Sequence, residues 1–453
     1  MHAKDPTSIA GKAFATRARY DHVVVGAGEA GIAAARAAAA AGERTLLVDE
    51  HPLDPGLFGM DIPYLFGGRL DASTRNAARM EERVVAARPA LMEAMDEGVE
   101  VATATAAWGC FPRSATSRSQ PHSLLGLADA REAWLVAFGR LTVATGARDV
   151  AIPFQGWTLP GVMGARGFDA ALRLYAAFSG RRVAIVGGGA LAEGVARAAR
   201  EAGIEVAAHV ASPAAISILG RDEAEGIAWQ EDGAARREVA CDTVVLAVDA
   251  VPMVDLPDQA GLAVAWDGAR GGFAPVLGAD GAASIAGFRV VGDAAGTAPA
   301  SRGDWIALAT RDDDALVCAC EEVRAGDLRA LRPPRYLSAE GPREGLGAIP
   351  RLDQDHVKRL TRAGMGACQG RRCRECVHAI LSRDGARVGL ASHRPPLRPL
   401  PLGVMAALHE DPAMAANWTG WFGIAGQWLP HWEPVPEGAE FIGARLGAGS
   451  SGK

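Results

Sequence analysis

The sequence lacks the features that mark several common classes of protein. Its 453 residues carry a formal net charge of -6 with only 22% charged residues, so no excess of positive charge favours a nucleic-acid partner. The N-terminal residues show no apolar signal-peptide core. The uncharged stretch at 412–430 is interrupted by Asn417, Gln427 and glycines, so we interpret it as soluble or interfacial rather than as a membrane span. We therefore expect a cytoplasmic protein that contacts a membrane at most peripherally.

Cysteine is also scarce, and its placement is uneven. Of the seven cysteines, Cys110 and Cys241 are isolated, and we expect both to be small buried side chains. The other five lie within one region of the chain, at Cys318, Cys320, Cys368, Cys373 and Cys376. In a cytoplasmic protein such clustered thiols indicate metal or redox chemistry more than structural disulfides.

Glycine, by contrast, is abundant, and many of the 55 glycines follow apolar runs. The first such place begins with a β-branched run at 22–25 and continues as GAGEAG at 26–31. An alanine-rich helical stretch then ends near Gly42, and a second strand at 45–48 follows. This order of strand, glycine turn, helix and strand predicts a dinucleotide-binding unit in an α/β fold.

Four residues of this unit have distinct predicted roles. Gly26 makes the tight turn, Gly28 lets the backbone approach a pyrophosphate, and Gly31 allows the helix to pack closely on the strand. The helix N-terminus offers free N–H groups to the phosphates. Asp49 ends the second strand, where a carboxylate would accept hydrogen bonds from ribose hydroxyls.

Two later segments favour FAD in this first site. One strand runs into an Ala-Thr-Gly turn that contains Thr145 and Gly146, and a later strand at 288–291 is followed by a Gly-Asp pair that contains Asp293. The sequence here resembles two-dinucleotide flavoproteins, in which the first turn lies beside the flavin nucleotide and the aspartate binds the ribityl chain. Taken alone, Asp293 could instead be the N-cap of a helix.

A second strand and glycine turn repeat the pattern. Gly187 and Gly189 lie in this turn, and the strand at 205–210 follows its helix. The position that matches Asp49 is Val210, so the ribose of NAD would lose a main partner. The second unit could therefore bind NAD, another nucleotide such as ATP, or nothing.

No cysteine pair follows the first unit between residues 51 and 69. A disulfide reductase needs a dithiol against its flavin, so this absence excludes that class of enzyme. We also identify no acid–base pair with a catalytic role. The histidines His209, His356 and His393 are scattered, and we expect them to be structural or solvated.

The clustered cysteines form two short pairs. Cys318 and Cys320 make a Cys-x-Cys, and Cys368 and Cys373 make a Cys-x4-Cys later in the chain. Two thiolates from each of two loops match the four ligands of a [2Fe–2S] cluster. Zinc sites more often use Cys-x2-Cys pairs, and Cys-x-Cys has poor geometry for an internal disulfide. Cys376 is predicted to be a packed helix residue, although it could exchange with Cys373 as a ligand.

Four longer motifs carry a family resemblance. They are FQGWTLPGVM at 154–163, CACEEV at 318–323, TRAGMGACQGR at 361–371 and HRPPLRP at 393–399. With them, the chain resembles the alpha or A subunits of heteromeric opine, proline and hydroxyproline dehydrogenases over roughly residues 20–403. It is also similar to the B subunit of hydrogen cyanide synthase and to the alpha subunit of heterotetrameric sarcosine oxidase.

The resemblance implies a fold, a set of cofactors and partners. The fold would be that of a two-dinucleotide-binding, glutathione-reductase-like flavoprotein with a small helical [2Fe–2S] domain like bacterioferritin-associated ferredoxin. A separate beta subunit with its own FAD would oxidise the C–N bond of an amine or amino acid, and a small third subunit could complete the complex. Electrons would pass from the partner flavin through the cluster. The residues implied for FAD and the cluster are Gly26, Gly28, Gly31, Asp49, Thr145, Gly146 and Asp293, and Cys318, Cys320, Cys368 and Cys373.

The same resemblance divides the chain into segments. The FAD-binding domain would comprise residues 18–165 and 253–312, and a second Rossmann domain, 166–252, would be inserted between them. The [2Fe–2S] domain would span 313–400, and a tryptophan-rich tail would span 401–453.

The chain departs from this family in several places. The usual Gly-Gly-Gln after Asp49 is absent, and the link between Asp293 and Cys318 is short. The segment after Asp49 contains Phe58, Tyr64 and Phe66. The tail, which could form an interface or pack on the chain's own core, carries Trp418, Trp421, Trp428 and Trp432. Two rival hypotheses therefore stay open: a stand-alone NAD(P)H-dependent flavoprotein reductase, and a non-catalytic assembly subunit with a degenerate flavin site.

Overall fold

The computed structural model describes residues 15–53, 68–113, 120–296, 302–337, 353–382, 388–406 and 408. The aromatic residues Phe58, Tyr64 and Phe66 and the four tryptophans of the tail lie outside these residues. Within the described ranges, no helix is both long enough and apolar enough to cross a lipid bilayer.

The first unit is built on a seven-stranded sheet. Its first six strands are β1 (Ala18–Val25), β2 (Thr45–Val48), β3 (Glu100–Ala102), β4 (Ala106–Phe111), β5 (Ser123–Ala128) and β6 (Ala133–Val143). They lie in the order β3-β2-β1-β6-β5-β4, and Phe288–Val290 adds parallel to the end of β6. The strands β3, β2, β1 and β6 are mutually parallel, whereas β5 and β4 return as antiparallel strands.

The parallel strands end together at one edge of this sheet. Val25 of β1 pairs with Val48 of β2 and with Val143 of β6. The glycine turn, Asp49 and the Ala-Thr-Gly turn follow these three strands directly. They therefore meet at one edge, which is where open α/β sheets bind their ligands.

Three helices of the first unit follow in chain order. They are α1 (Glu29–Ala40), α2 (Ala77–Ala86) and α3 (Pro89–Asp96), and α2 is preceded by a 3-10 turn at Ala72–Arg75. Ile32 and Ala35 of α1 pack with Val24 and Leu47 of the sheet, because residues three apart lie on one helix face. Leu91 of α3 joins the same cluster, so α1 is held between the sheet and α3.

The second unit repeats this plan on a smaller scale. Its elements are β7 (Ala147–Asp149), β8 (Val162–Gly164), α4 (Ala165–Asp169), a π turn (Ala170–Leu174), β9 (Arg182–Val186), α5 (Gly189–Glu201), β10 (Glu205–Val210), β11 (Ala215–Leu219), β12 (Gly226–Gln230), β13 (Arg237–Ala240), β14 (Thr243–Leu246) and β15 (Ala250–Pro252). A parallel sheet has the order β10-β9-β14-β8, and β11, β12 and β13 form an antiparallel meander. The predicted strand at 205–210 is confirmed, and the helix predicted before it spans Gly189–Glu201.

The two chain crossings between these units pair with each other. The strand β7 leads into the second unit and β15 leads out of it, and they form an antiparallel ribbon. Ala147 pairs with Pro252, and Asp149 pairs with Ala250. The second unit is thus joined to the first by one two-stranded connection.

The rest of the chain is mainly helical. Its elements are α6 (Asp255–Gln259), β16 (Val264–Asp267), β17 (Gly272–Pro275), β18 (Phe288–Val290), a 3-10 turn (Gly292–Ala294), α7 (Arg302–Ala309), β19 (Leu316–Cys318), β20 (Val323–Arg324), α8 (Ala325–Arg329), a 3-10 turn (Arg335–Leu337), α9 (Gln354–Thr361), α10 (Arg374–Leu381) and α11 (Leu402–Ala406). Leu328, Val357 and Val377 bring α8, α9 and α10 into one apolar core with Phe154 and Trp305. The helical region and the second unit therefore share a core.

We predict that Gly164→Ala destabilises the protein. A Cβ on Gly164 would lie 2.1 Å from Asp149 Oδ2 and 2.3 Å from Asp149 Cβ. The Asp149 carboxylate accepts the N–H groups of Arg166 and Gly167 at the start of α4, so the clash would also disturb this cap. We expect the free energy of unfolding to fall by about 1–3 kcal/mol, measured by urea unfolding.

The control is Gly194→Ala in the middle of α5, where an added Cβ meets no atom within 4 Å. Alanine has the better helix propensity, so this variant should gain roughly 0.5–1 kcal/mol. Equal unfolding midpoints for the two variants would contradict the clash.

Candidate functional site

A cleft of about 820 Å³ opens at the carboxyl edge of the first sheet. It is bordered by the ends of β1, β2 and β6, and on the far side by Leu191 and Gly194 of α5. This volume is within the range of roughly 300–1,000 Å³ that is typical of ligand and cofactor pockets. The residues of the first glycine turn, Asp49, Thr145 and Gly146 all lie on its walls or directly behind them.

The glycines of the first turn differ in what surrounds them. A Cβ on Gly26 would lie 2.2 Å from Ala144 O, and a Cβ on Gly31 would lie 1.8 Å from Gly26 O. These two glycines are needed for backbone packing. Gly28 instead caps α1 and has no atom within 4 Å of an added Cβ. The space beside Gly28, at a helix N-terminus, fits the close approach of a phosphate group.

Asp49 lines the cleft, but protein groups already contact both of its carboxylate oxygens. It accepts the N–H of Ala27 at 2.5 Å and that of His51 at 2.8 Å, and Arg88 Nη1 lies 3.3 Å away. Burial disfavours the charged form, yet the His51 imidazole when it is protonated, the charge of Arg88 and these N–H groups lower the pKa of Asp49. The carboxylate is at the predicted place, and Arg88 is a neighbour that the sequence pattern did not indicate.

Two further contacts at this end of the cleft were not predicted. His51 Nδ1 lies 2.6 Å from Tyr175 Oη, and the N–H of Leu53 donates to the same oxygen at 3.0 Å. Burial lowers the pKa of His51, and a neutral imidazole can accept a hydrogen bond from the Tyr175 hydroxyl. Glu50 accepts two hydrogen bonds from Arg398, at 2.7 and 2.8 Å. We call residues 388–406 the C-terminal segment. Through Leu397 and Arg398 it forms one wall of the cleft.

Thr145 and Gly146 border the cleft, whereas Asp293 is not among its lining residues. The Thr145 hydroxyl donates to Met253 O at 3.4 Å, and Met253 N–H donates to Gly146 O at 3.0 Å. Asp293 lies in the 3-10 turn against the start of α1, and its carboxylate is paired with Arg166, which does line the cleft. Val291, rather than Asp293, occupies the cap position of that turn.

The second glycine turn is packed against protein at Gly187 and open at Gly189, where an added Cβ would meet no atom within 4 Å. A Cβ on Gly187 would lie 2.1 Å from Ala247 O, so this glycine packs against the backbone as Gly26 does. His209 Nε2 donates to Gly187 O at 3.0 Å, and Val210 ends β10 as a buried side chain. Neither Gly187 nor Gly189 lines the cleft, although Ala190 and Leu191, which follow them directly, do.

The four paired cysteines come together from two loops. Cys318 ends β19 and is in hydrogen-bonding contact with Cys373, which caps α10. Cys320 is in the same contact with Cys368. Three of the four are buried and Cys320 is half-buried. Two thiol pairs, one residue of each pair coming from each loop, suit a centre with two metal ions and two thiolates on each.

The surroundings of the thiols favour negative charge at two of them. The hydrogen bond from Cys320, with support from the charge of Arg372, lowers the pKa of Cys368 to about 6. The hydrogen bond from Cys373 lowers the pKa of Cys318, and backbone N–H groups add to both effects. Anionic sulfurs that accept backbone N–H bonds fit the ligand set of an iron–sulfur centre.

Cys376 lies apart from these pairs. Its thiol donates to Ala151 O at 3.5 Å, and burial raises its pKa. Within the part of the chain that the structure describes, no group of three or more His, Cys, Asp or Glu side chains is arranged to hold a single metal ion. The four thiols thus form two pairs rather than one compact cage.

A smaller cavity of about 250 Å³ continues from the cleft towards the cysteines. We call it the inner cavity. Thr145, Met253 and Arg371 line both the cleft and the inner cavity. Cys368 lines the inner cavity but not the cleft. The cysteine site and the nucleotide-binding edge of the first sheet are therefore adjacent.

A buried ion network holds the cysteine region against the first unit. Asp255 Oδ1 of α6 lies 3.1 Å from Arg371 Nε, and its Oδ2 lies 3.2 Å from Arg374 Nη2. His393 bridges Asp255 and Asp258, at 3.2 and 2.8 Å. Burial opposes ionisation of Asp255, but Arg374 and Arg371 hold its pKa well below the usual range.

A second buried ion pair joins the cysteine region to β7, at the connection between the two units. Arg148 Nη2 donates to Glu375 Oε1 at 2.5 Å, and both side chains are at least nine-tenths buried. Trp266 stacks on His378 with ring centroids 3.6 Å apart. Sequence reasoning did not identify these contacts, because the partners are far apart along the chain.

Comparison with known families locates two matches on this chain. Residues 20–228 match the pyridine nucleotide-disulphide oxidoreductase family, and residues 350–409 match the sarcosine oxidase A3 domain. The first match covers both glycine turns, and the second covers Cys368, Cys373 and His393. The predicted α/β flavoprotein fold with two dinucleotide-binding units and a helical C-terminal region is confirmed.

Individual relatives are distant but extend over most of the chain. The A subunit of opine oxidase from Agrobacterium tumefaciens (strain Ach5) is 26% identical, with 88% of this chain and 93% of that protein covered. The alpha subunit of sarcosine oxidase from Rhizobium meliloti (strain 1021) is 26% identical, with 86% of this chain and 43% of that protein covered. The crystal structure of L-proline dehydrogenase from P. horikoshii aligns with a TM-score of 0.61 at 19% identity, over 85% of this chain and 79% of that chain.

We predict that His393 makes the interface of the cysteine region dependent on pH. Burial lowers the pKa of its imidazole, but hydrogen bonds to Asp255 and Asp258 outweigh this effect and the pKa is raised, against the nearby charge of Arg374. The stabilisation is therefore complete below the unfolded pKa of about 6.5 and is lost as the pH rises through the folded pKa.

The test compares wild type with His393→Asn by urea unfolding from pH 6 to 9. We expect wild type to be more stable by about 1–3 kcal/mol at pH 6, with a difference that shrinks towards pH 9. Asp258→Asn removes one of the two carboxylates that raise the pKa of His393, so the loss of stability should occur at lower pH. A difference that stays constant across the range would contradict the assignment.

Proposed function

We propose that this chain is the alpha-type, cofactor-holding subunit of a cytoplasmic, heteromeric, FAD-dependent amine or amino-acid dehydrogenase. Its substrate class would be opines, proline, hydroxyproline or N-alkyl amino acids, oxidised in a partner subunit that carries its own FAD. The observation that carries this proposal is the convergence of four thiols, in two contacting pairs, beside the cavity that leads to the nucleotide-binding edge. The named relatives, oxidase and dehydrogenase proteins, support the same class of reaction.

The residues of the first site would hold FAD. Gly28 leaves room for the pyrophosphate at the N-terminus of α1, and Asp49 lies at the ribose end of the cleft. Thr145 and Gly146 border the cleft, where they would lie beside the flavin nucleotide. Asp293 reaches the cleft only through Arg166, so we propose that this ion pair, rather than the carboxylate alone, faces the ribityl chain.

The cysteine residues would hold a [2Fe–2S] cluster, with one iron on Cys318 and Cys373 and the other on Cys320 and Cys368. The cluster and the flavin supply the electron transfer when they are bound. The protein contributes burial of the thiols, N–H donors to the sulfurs, and the positive charge of Arg372 beside Cys368. Oxidation of the C–N bond, with its acid–base chemistry, is assigned to the partner subunit. A small third subunit could complete the complex.

The geometry of the second unit argues against a stand-alone NAD(P)H reductase. His209 fills the hydrogen-bonding position at Gly187 O, and Val210 offers no acceptor for a ribose. We therefore propose that Gly187 packs the second unit, and that this unit binds neither NAD nor ATP because it lacks an acceptor for the ribose. Bleaching of the flavin by NADH in the purified single chain would overturn this point.

One observation favours the alternative function, that of a non-catalytic assembly subunit. Both oxygens of Asp49 already contact Ala27, His51 or Arg88, so these groups compete with a ribose for the carboxylate. Flavin content of the isolated chain decides between the two functions. Flavin absorbance in the isolated chain would rule out the assembly subunit, whereas a chain that binds neither flavin nor iron would have a structural role only.

We predict that Gly28→Val abolishes flavin binding without unfolding the protein. The backbone of Gly28 has φ of -75° and ψ of 175°, which valine adopts readily, and its surroundings are open. The valine side chain would occupy the space needed by a phosphate, so flavin absorbance at 450 nm should fall about tenfold or more while the circular dichroism spectrum is unchanged. Gly268→Val, in a turn with no neighbour within 4 Å, should keep its flavin. Equal flavin contents would indicate that the turn only packs the helix.

We predict that alanine at Cys318, Cys320, Cys368 or Cys373 removes the cluster, whereas Cys376→Ala leaves it intact. Wild type purified anaerobically should contain about two irons and two labile sulfides per chain. Each of the four variants loses one of four ligands, so iron should fall below about half of the wild-type content. Iron and sulfide analysis with visible absorbance measures this. Zinc in place of iron, or iron loss in Cys376→Ala alone, would contradict the ligand set.

A further inference from the structure

The four cysteines differ in their position relative to the nucleotide cleft. Cys368 lines the inner cavity, whereas Cys318, Cys320 and Cys373 do not border it. The inner cavity continues from the cleft past Thr145 and Met253. The Cys368 edge of the cysteine site therefore faces the inner cavity, which leads to the cleft.

Arg371 lies at the junction of the cleft, the inner cavity and Cys368. Its Nε lies 3.1 Å from Asp255 Oδ1, its Nη1 donates to Cys368 O at 3.4 Å, and its Nη2 donates to Leu397 O. Only 8% of this residue is exposed. A guanidinium has its donors in one rigid plane, so these three contacts fix the loop of Cys368 relative to α6 and the C-terminal segment.

Arg372 carries the same charge in the same loop but is placed differently. It lines the inner cavity without bordering the cleft, and its guanidinium carbon lies 5.7 Å from the centroid of the Trp157 ring. Its charge lowers the pKa of Cys368, whereas Arg371 contacts Asp255 and the backbone of the C-terminal segment. Substitutions at the two arginines therefore distinguish an effect of charge near Cys368 from an effect on the position of the Cys368 loop.

We propose that electrons cross between a flavin in the cleft and the cluster at the Cys368 edge, and that Arg371 is the positioning residue that holds this edge against the cleft. The inference rests on the proposed function, because both cofactors must be bound. The step is the transfer of one electron between one iron of the cluster and the flavin: one ferrous iron would become ferric as the flavin gains the electron, the reverse transfer follows when the flavin is reduced first, and no bond forms or breaks at Cys368 or Arg371.

Arg371→Lys tests the positioning role in the full chain purified anaerobically with both cofactors. Lysine keeps the charge but lacks the planar fork, so flavin content, iron content and the midpoint potential of the cluster should stay near wild type. Bleaching of the cluster after laser-flash reduction of the flavin should slow about tenfold or more, because small misplacements of reacting groups are costly.

Arg372→Gln is the matched control. Loss of its positive charge disfavours the reduced cluster, so the midpoint potential should fall, while the bleaching rate falls much less than in Arg371→Lys. A wild-type bleaching rate in Arg371→Lys, or equal slowing in the two variants, overturns the inference. Absence of flavin or iron from the wild-type chain would instead contradict the proposed function, so the two failures are distinguishable.

If Arg371→Lys loses a cofactor, a pair of serine variants tests whether the electrons cross at the Cys368 edge of the cluster. Serine offers an oxygen ligand to iron, and Cys368 lines the inner cavity whereas Cys318 does not. With rates compared at matched driving force, Cys368→Ser should slow the bleaching more than Cys318→Ser. Equal slowing, or more slowing in Cys318→Ser, overturns the inference.

Discussion

The buried carboxylate of Asp255 is the contact on which the proposed site depends. It lies at the start of α6 and receives Arg371 and Arg374 from the cysteine region and His393 from the C-terminal segment. Removing one partner of such a buried group leaves an uncompensated charge, at a cost of roughly 3–5 kcal/mol. Replacing the whole network with apolar residues could be neutral for stability, so its value here is specificity of position. It brings the cysteine loop to one place beside the cleft.

The second unit has a structural role in this arrangement that differs from nucleotide binding. Its helix α5 supplies Leu191 and Gly194 to the far wall of the cleft, and its core is continuous with that of the helical region. Trp157 of the same unit donates its indole N–H to Leu316 O at 2.8 Å, two residues before Cys318. A βαβ unit that lacks the ribose acceptor thus serves as a support for both the cleft and the cysteines.

Local patterns in the sequence were sufficient to predict the parts of the site that depend on local backbone geometry. The glycine turns, the strands at 45–48 and 205–210 and the grouping of the cysteines all follow from spacing within short segments. Arg88, Arg398 and Asp255 could not be found in this way, since their partners lie far away in sequence; Glu50 and Arg398 are separated by 348 residues. Asp293 was assigned to a ribityl chain from its motif, but the structure pairs it with Arg166, a residue from the start of α4. The sequence did offer one indication of the network: Arg371 and Arg374 lie close to Cys373, where buried arginines need an acidic partner.

The antiparallel ribbon of β7 and β15 limits how the second unit can move. A single strand would act as a swivel, but two hydrogen-bonded strands bend mainly about one axis. Gly146 directly precedes β7 and Met253 directly follows β15, and both line the cleft. A tilt of the second unit about this ribbon would therefore displace Gly146 and Met253 together, so the width of the cleft at these two residues would depend on one rigid-body angle rather than on independent loop motion.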